Sequence, residues 1–446
     1  MKYEFSHPAK WRDYQSELQK TARLRNVLKK LPLLLAISAC AFILLLTIGW
    51  AVFWLPARWS QVDQKPPQSP QPDKRPDSQP LKLSRDDLPA ILGDAARNTS
   101  LLTDVLVCEK EGLNYTVRTT IDTKLQSYIL NLLGRSRTLQ AAVVVLNLAD
   151  GSVLAMADHD SNGNGQNLIL KADYPAASLF KIVSAAAALE NSGFTPDTAV
   201  NFVGRRHTLY KSQLKQTKSR WTTETSLRKA FALSNNSVFG KLGIYVLGQN
   251  VLAEYAEKFA FNRPIPFDLP LAVSSIVVPA DDFGLAEIAS GFNKKTLISP
   301  LHATLLATVP ANAGSMSAPW LVDAVEDGKG QVLYHADPGV WRHPLTSNAA
   351  KDLRILMQDA ARYGTSRSAF RKLRRRKLFR AFELGAKTGT INDRTDSFKY
   401  DWITAFALAP DGNRGIAVGV LGVHGKILGT RSTELARAII DYYFRM

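Results

Sequence analysis

Apolar and polar positions divide the chain into unlike stretches. Leu31 to Leu55 is an apolar run of about 25 residues with no charged side chain, long enough to cross a bilayer as a helix. Ser60 to Pro80, "SQVDQKPPQSPQPDKRPDSQP", is rich in Pro, Gln and Asp and poor in apolar residues, the composition of a semi-extended linker. Folding patterns begin near Leu81 with a short helical one, "SRDDLPAILGDAARN". "YTVRTTIDTKLQSYILNLLG" predicts a strand running into a helix, with Leu125, Ile129, Leu130 and Leu133 on one face. In "AAVVVLNLADGSVLAMAD", two apolar runs flank Asp150-Gly151 and predict a hairpin. Lys181 to about Leu305 follows a mostly helical period broken by loops. "WITAFALAP" and "GIAVGVLGV" predict two more strands joined by "PDGNR", and "STELARAIIDYYFRM" a closing helix. Strands at both ends with helices between them predict an α/β chain of the α+β type: one antiparallel sheet built from distant pieces, with an inserted helical lobe.

Composition refines this outline. A length of 446 residues with 46% hydrophobic content is ample for a large core. The expected division is a cytoplasmic tail (1–30), a single transmembrane helix (31–55), a Pro-rich linker (56–80), a short extension (81–115) and a main domain (116–446). The apolar run is too long for a cleavable signal peptide, and Trp50, Trp54 and Trp59 cluster at its far end like an interfacial belt. Arg23, Arg25, Lys29 and Lys30 precede it, which places the N-terminus inside the cell and everything after the span outside. That topology argues against nucleic acid as a partner despite the net charge of +17. Part of the charge is local, in "RKLRRRKLF" from Arg371 to Phe379. That run reads either as a solvated face or as a contact for lipid head groups, wall polymer or an acidic partner. Cys40 lies inside the span and Cys108 beyond it, so they do not pair. The histidines are scattered and no His-Glu-x-x-His or Cys-x-x-Cys occurs, so no metal site and no cofactor are expected.

Candidate chemistry starts in "YPAASLFKIVSAAAALE". Ser178 and Lys181 stand three apart on the first turn of a helix that otherwise reads as core. Ser-x-x-Lys alone is a cheap pattern. It recurs at Ser212 and Lys215, within the polar stretch "LYKSQLKQTKSR", and is given no role there. Lys181 differs because Ile182, Val183, Ala185 to Ala188 and Leu189 leave it no polar face. Burial lowers a lysine's pKa, and a neutral amine could take the proton of a serine one helical turn away. Two further motifs follow: Ser234 and Asn236 in "LSNNSVFG", after a helical segment, and Lys387, Thr388, Gly389 and Thr390 in "LGAKTGTINDRTDS", on a strand before a turn. The order Ser-x-x-Lys, Ser-x-Asn, Lys-Thr-Gly is a signature of serine β-lactamases and penicillin-binding proteins.

From about Thr116 to the C-terminus the sequence resembles the transpeptidase domain of penicillin-binding proteins. "VRTTIDTKLQ", the hairpin above and "LISPLHATLLATVPANAGSMSAPWLVDAVEDGKGQVLY" extend the match beyond the motifs. The resemblance implies a five-stranded antiparallel sheet flanked by helices. Leu81 to Tyr115 is far too short for the family's glycosyltransferase domain and shows no recognisable pedestal domain, which puts the usual pairing with a membrane glycosyltransferase in doubt. Ala386 stands where the family more often has glycine.

The resemblance also implies roles. Ser178 attacks the carbonyl between the two terminal D-alanines of a peptidoglycan stem peptide, with Lys181 as base. Ser234 bridges Lys181 and Lys387 and passes a proton to the departing D-alanine, and Asn236 orients the donor. Thr388 and Thr390, with Lys387, bind the terminal carboxylate, and Gly389 leaves room along the strand edge. The backbone N–H groups of Ser178 and Thr390 hold the oxyanion. The implied protein is a serine D,D-transpeptidase of the bacterial inner membrane with its catalytic domain in the periplasm, acylated by β-lactams, its further partners being a membrane glycosyltransferase or other cell-wall synthesis proteins. A D,D-carboxypeptidase, in which water replaces the acceptor amine, stays open. A β-lactamase needs a deacylating base that is not found, a β-lactam sensor needs a cytoplasmic effector, and a non-catalytic scaffold would be expected to have lost a motif residue.

Overall fold

The computed structural model describes residues 82–446 apart from 164–166, 218 and 394. The predicted tail, membrane span and linker lie outside the described residues, among which no helix is long and apolar enough to cross a membrane.

The chain opens with short helical turns between Arg85 and Arg97, broken at Gly93, where φ is +52°. Strands β1 (Val105–Lys110) and β2 (Leu113–Thr119) follow, then helix α1 (Thr123–Gly134). The Asp122 side chain starts α1 by accepting from the N–H groups of Lys124 and Leu125, both at 3.0 Å. Strands β3 (Gln140–Asn147) and β4 (Val153–Asp160) form the predicted hairpin. The helical lobe carries α2 (Lys181–Asn191), α3 (Leu227–Ala232), α4 (Asn236–Leu242), α5 (Asp282–Ser290) and α6 (Pro300–Ala311). After it come β5 (Val322–Asp327), β6 (Val332–His335), α7 (Ser347–Arg362) and α8 (Arg367–Arg374). Strands β7 (Glu383–Asn392), β8 (Lys399–Leu408) and β9 (Gly415–His424) lead to the closing helix α9 (Ser432–Tyr443).

The central sheet is antiparallel and five-stranded, as the resemblance implies, in the order β7-β8-β9-β3-β4. Its alternation assigns each side chain to one of two cores. Ala142, Val144 and Leu146 of β3 face the helical lobe, while Ala141, Val143 and Val145 face the opposite layer. Helices α1 and α9 cover that opposite layer with Leu125, Ile129 and Leu133, and with Leu435, Ile439 and Ile440. All ten residues of β9 are buried, because the strand is central and covered on both faces. Helix α6 is buried along its whole length against β3, β8 and β9. A helix apolar all round fits such a position.

A second antiparallel sheet, ordered β1-β2-β5-β6, was not expected. Strand β2 crosses the boundary set at 115/116, so the extension and the main domain share this sheet. The lobe likewise holds an unpredicted hairpin, Ala199–Val203 with Thr222–Ser226.

Candidate active site

Ser178 sits on a 3-10 turn, Ala177–Phe180, that leads into α2. The expected regular helix is thus replaced at its start by a tighter turn. Ala177 holds φ at +48°, a conformation an L-residue adopts only under constraint. The constraint is visible below it: a Cβ on Gly291, at the C-terminus of α5, would stand 2.0 Å from the Ala177 carbonyl oxygen. Gly291 itself has φ +63°, so glycine meets both demands at once. From the other side Gly389 of β7 faces the same turn, its Cβ position 3.3 Å from the Ala176 oxygen and from the Ala177 Cβ.

Lys181 is fully buried, as its apolar neighbours predict. Its Nζ lies 2.9 Å from Ser178 Oγ and 2.8 Å from Asn236 Oδ1, and it also donates to the Ser290 carbonyl at the end of α5. The Phe239 ring lies 5.7 Å away. Burial holds the Lys181 pKa well below the usual lysine range, and the second cation Lys387 pushes the same way. The C-terminus of α5 favours a cation by about 0.3–1 kcal/mol, but taking a lone charge out of water costs several kcal/mol, so burial wins. A neutral lysine amine has two hydrogens and one lone pair. Asn236 Oδ1 and the Ser290 carbonyl accept the two hydrogens, and the lone pair is left for the Ser178 hydroxyl.

Ser234 owes its position to the end of α3. Its N–H donates to the Phe231 oxygen at 3.0 Å and the next N–H, of Asn235, to the Ala230 oxygen at 2.9 Å, which is the Schellman pattern of helix termination. The residue at that place is left-handed and usually glycine, and Ser234 has φ +53°. A hydroxyl held there despite the strain is a sign of function. Asn235 caps the next helix, α4, by accepting from the Val238 N–H at 3.2 Å. That start turns Asn236 toward Lys181. The Asn236 amide is also fixed from the loop between the unpredicted hairpin strands: its Nδ2 donates to the His207 oxygen at 3.1 Å and its backbone N–H to the Arg206 oxygen at 2.7 Å. One amide hydrogen and one oxygen lone pair remain for a ligand.

Lys387 is fully buried on β7 and donates to Ser234 Oγ at 3.0 Å and to the Thr388 oxygen at 2.7 Å, with the Phe231 ring 5.6 Å away. Burial pulls its pKa down to about 7. Ser234 therefore meets Lys387, whereas the place beside Lys181 expected for it is taken by Asn236. Strand β7 is an edge of the sheet, with Thr388 half-buried and Thr390 exposed. The structure thus joins Ser178, Lys181 and Asn236 by hydrogen bonds and Ser234 to Lys387, with Gly389 against the nucleophile turn and Thr388 and Thr390 on the same edge strand. Ser212 and Lys215 lie exposed in the loop between the hairpin strands.

Several participants were not anticipated. Phe231 and Phe239 border the two lysines, the Ser290 carbonyl holds Lys181, and Gly291 makes room for the nucleophile turn. Thr365 joins two motifs: its N–H donates to the Ala232 oxygen, just before Ser234, at 3.1 Å, and its Oγ1 lies 2.5 Å from Thr388 Oγ1. Gly364 permits that approach, since a Cβ on it would be 2.1 Å from the Ala232 oxygen. The signal for it was the "YGT" that ends α7, a glycine placed as at many helix C-termini.

Known proteins share this architecture. A profile of the penicillin binding protein transpeptidase domain matches residues 141–441. Peptidoglycan D,D-transpeptidase PbpA of Mycolicibacterium smegmatis is 26% identical, over 56% of this chain and 50% of that protein. Peptidoglycan D,D-transpeptidase MrdA of Haemophilus influenzae is 26% identical, over 73% of this chain and 56% of that protein. The chain thus spans about half the length of these relatives. Penicillin-binding protein A from M. tuberculosis, solved as its imipenem acyl-enzyme complex, superposes with a TM-score of 0.60 at 24% identity, covering 74% of this chain and 79% of that one. With the three motifs linked by side-chain contacts and the profile spanning most of the chain, the protein belongs to the penicillin-binding protein transpeptidase family.

Proposed function

We propose that this chain is a membrane-anchored serine D,D-transpeptidase that cross-links peptidoglycan stem peptides through an acyl-enzyme. The observation that carries the reading is the buried Lys181 Nζ, held between Asn236 Oδ1 and the Ser290 carbonyl and 2.9 Å from Ser178 Oγ, a setting that suits a neutral amine acting as base. The names of the relatives support it, as do the acyl-enzyme complexes of the structural neighbour.

In this mechanism Lys181 takes the Ser178 proton as Oγ attacks the carbonyl between the terminal D-alanines. The negative charge on the carbonyl oxygen is met by the N–H groups of Ser178 and Thr390. An ammonium group in a dry pocket is costly, so Lys181 gives its proton up as the D-alanine amine departs. Ser234, whose hydroxyl accepts from Lys387, is the side chain we assign to protonating that amine. Lys387 with Thr388 and Thr390 binds the terminal carboxylate, whose negative charge favours the ammonium form of Lys387. Asn236 orients the donor peptide with its remaining amide hydrogen. The acceptor amine then attacks the acyl carbon, and Ser178 leaves as the alcohol. Strand β7 is an open edge along which an extended peptide can lie.

We further infer that Leu31 to Leu55 anchors the protein in the bacterial inner membrane, with residues 116–446 as the catalytic domain outside the cytoplasm. Protease added to sealed, oriented cells with opened outer layers should degrade that domain and spare the tail. The activity is tested with a D-Ala-D-Ala-terminated stem peptide, with and without an amine acceptor. A cross-linked product that needs the acceptor supports the transpeptidase. Release of D-alanine with hydrolysis alone, whatever acceptor is offered, would make the protein a D,D-carboxypeptidase.

A further inference from the structure

The basic run that the sequence left unassigned splits into two sets in the fold. Lys372 pairs with Glu434 at 2.9 Å and Arg376 with Asp441 at 3.1 Å, so these two tie α8 and the chain after it to α9. Arg374 turns the other way. Its side chain is half-buried and its Nη2 approaches the Arg362 carbonyl at 3.5 Å. Among the described residues no carboxylate stands within ion-pair distance of Arg362, Arg367 or Arg374. The exposed Tyr363 ring lies beneath the Arg362 guanidinium at 5.2 Å.

The cluster's place says what would pair with it. Arg362 ends α7, Arg367 begins α8, and between them Thr365 reaches Thr388 of the Lys-Thr-Gly strand. Arg362 and Arg367 therefore flank the segment that touches Thr388, where a ligand carboxylate is proposed to lie. We propose that Arg362, Arg367 and Arg374 form an anion site continuous with Thr388, which draws in and holds the terminal carboxylate of the donor peptide. Guanidinium groups suit this task, because they remain charged and pair with carboxylates through two parallel hydrogen bonds. The proposal rests on the transpeptidase reading above and adds three specificity-determining residues to it.

The test measures the second-order rate of acylation of the full 446-residue chain in detergent by benzylpenicillin and by its methyl ester, which lacks the carboxylate charge. Arg367→Gln, Arg374→Gln and the triple Arg→Gln variant are compared with wild type at low and moderate salt. The triple variant should acylate about tenfold more slowly with benzylpenicillin, with a flatter salt dependence, and about as fast as wild type with the ester. Arg367→Lys should recover part of the loss. Because none of the three forms an ion pair among the described residues, the thermal midpoint of the triple variant should be unchanged. Equal acylation of wild type and variants overturns the anion site alone. If the variants acylate normally but lose binding to phosphatidylglycerol vesicles, the cluster faces a lipid surface and the proposal is overturned in favour of that occupant. Wild type that forms no adduct overturns both the site and the reading on which it rests.

Discussion

A lysine can act as a base near neutral pH only if something removes its proton beforehand, and Lys181 meets that condition through burial more than through Lys387. Arginine keeps the charge at any accessible pH and cannot serve. Lys181→Arg is therefore expected to lower the acylation rate by about 10²–10⁴-fold, the usual range for a lost general base, as stopped-flow with a chromogenic β-lactam would read. Retained acylation would remove Lys181 from the role. Ser234 offers a separate comparison. Alanine and glycine both delete the hydroxyl, but only alanine keeps the left-handed strain at φ +53°. Ser234→Gly should be more stable than Ser234→Ala by roughly 1 kcal/mol in denaturant titrations, with both equally impaired in turnover. These residues were legible in the sequence because the chemistry demands particular side chains at fixed spacings. Their partners Ser290 and His207 were not legible, since each contributes a backbone carbonyl that any residue could supply.

At the scale of elements, the nucleophile turn is a junction of three pieces: the start of α2, the end of α5 and the edge strand β7. Gly291 sets the distance between the first two. Gly291→Ala combines a positive φ with a Cβ 2.0 Å from a backbone oxygen, so something must move. The expected cost is roughly 2 kcal/mol or more, together with slower acylation, because Ala177 and Ser178 would be displaced together. An unchanged midpoint and rate would show that the turn does not depend on this contact. Strands β3, β8 and β9 of the central sheet could be read in advance because they are long and largely apolar on both faces. Strands β1, β5 and β6 escaped notice because they are short and half-exposed, with charged residues such as Glu109, Lys110 and Asp327 inside them. The Ala199–Val203 hairpin was hidden in another way. Its second strand, "TTETS", is polar throughout, and a long loop separates it from the first.

For the whole molecule, two buried lysines make stability depend on pH. Lys387 binds its proton with a pKa of about 7 in the fold against an ordinary value of 10.5. Between those values the unfolded chain holds more protons than the native one, so this group makes stability rise with pH from about 7 to 10.5 and leaves it flat below. Lys181 acts in the same direction. Lys387→Met should flatten the rise across that window when midpoints of wild type and variant are compared. A parallel dependence in both proteins would mean that Lys387 is not desolvated as described. The two cores on either side of the sheet absorb this cost, since each buried Leu, Ile or Phe contributes about 1.5–3 kcal/mol against it.

The central claim is that Ser178 is a nucleophile that forms an acyl-enzyme. Its most direct test is the intact mass of the protein after exposure to penicillin, with Ser178→Ala treated in parallel. The account predicts a stable increase equal to one penicillin on the wild type, located by peptide mapping to Ser178, and none on the variant. Folded wild-type protein without an adduct, or an adduct that persists in Ser178→Ala, would contradict it.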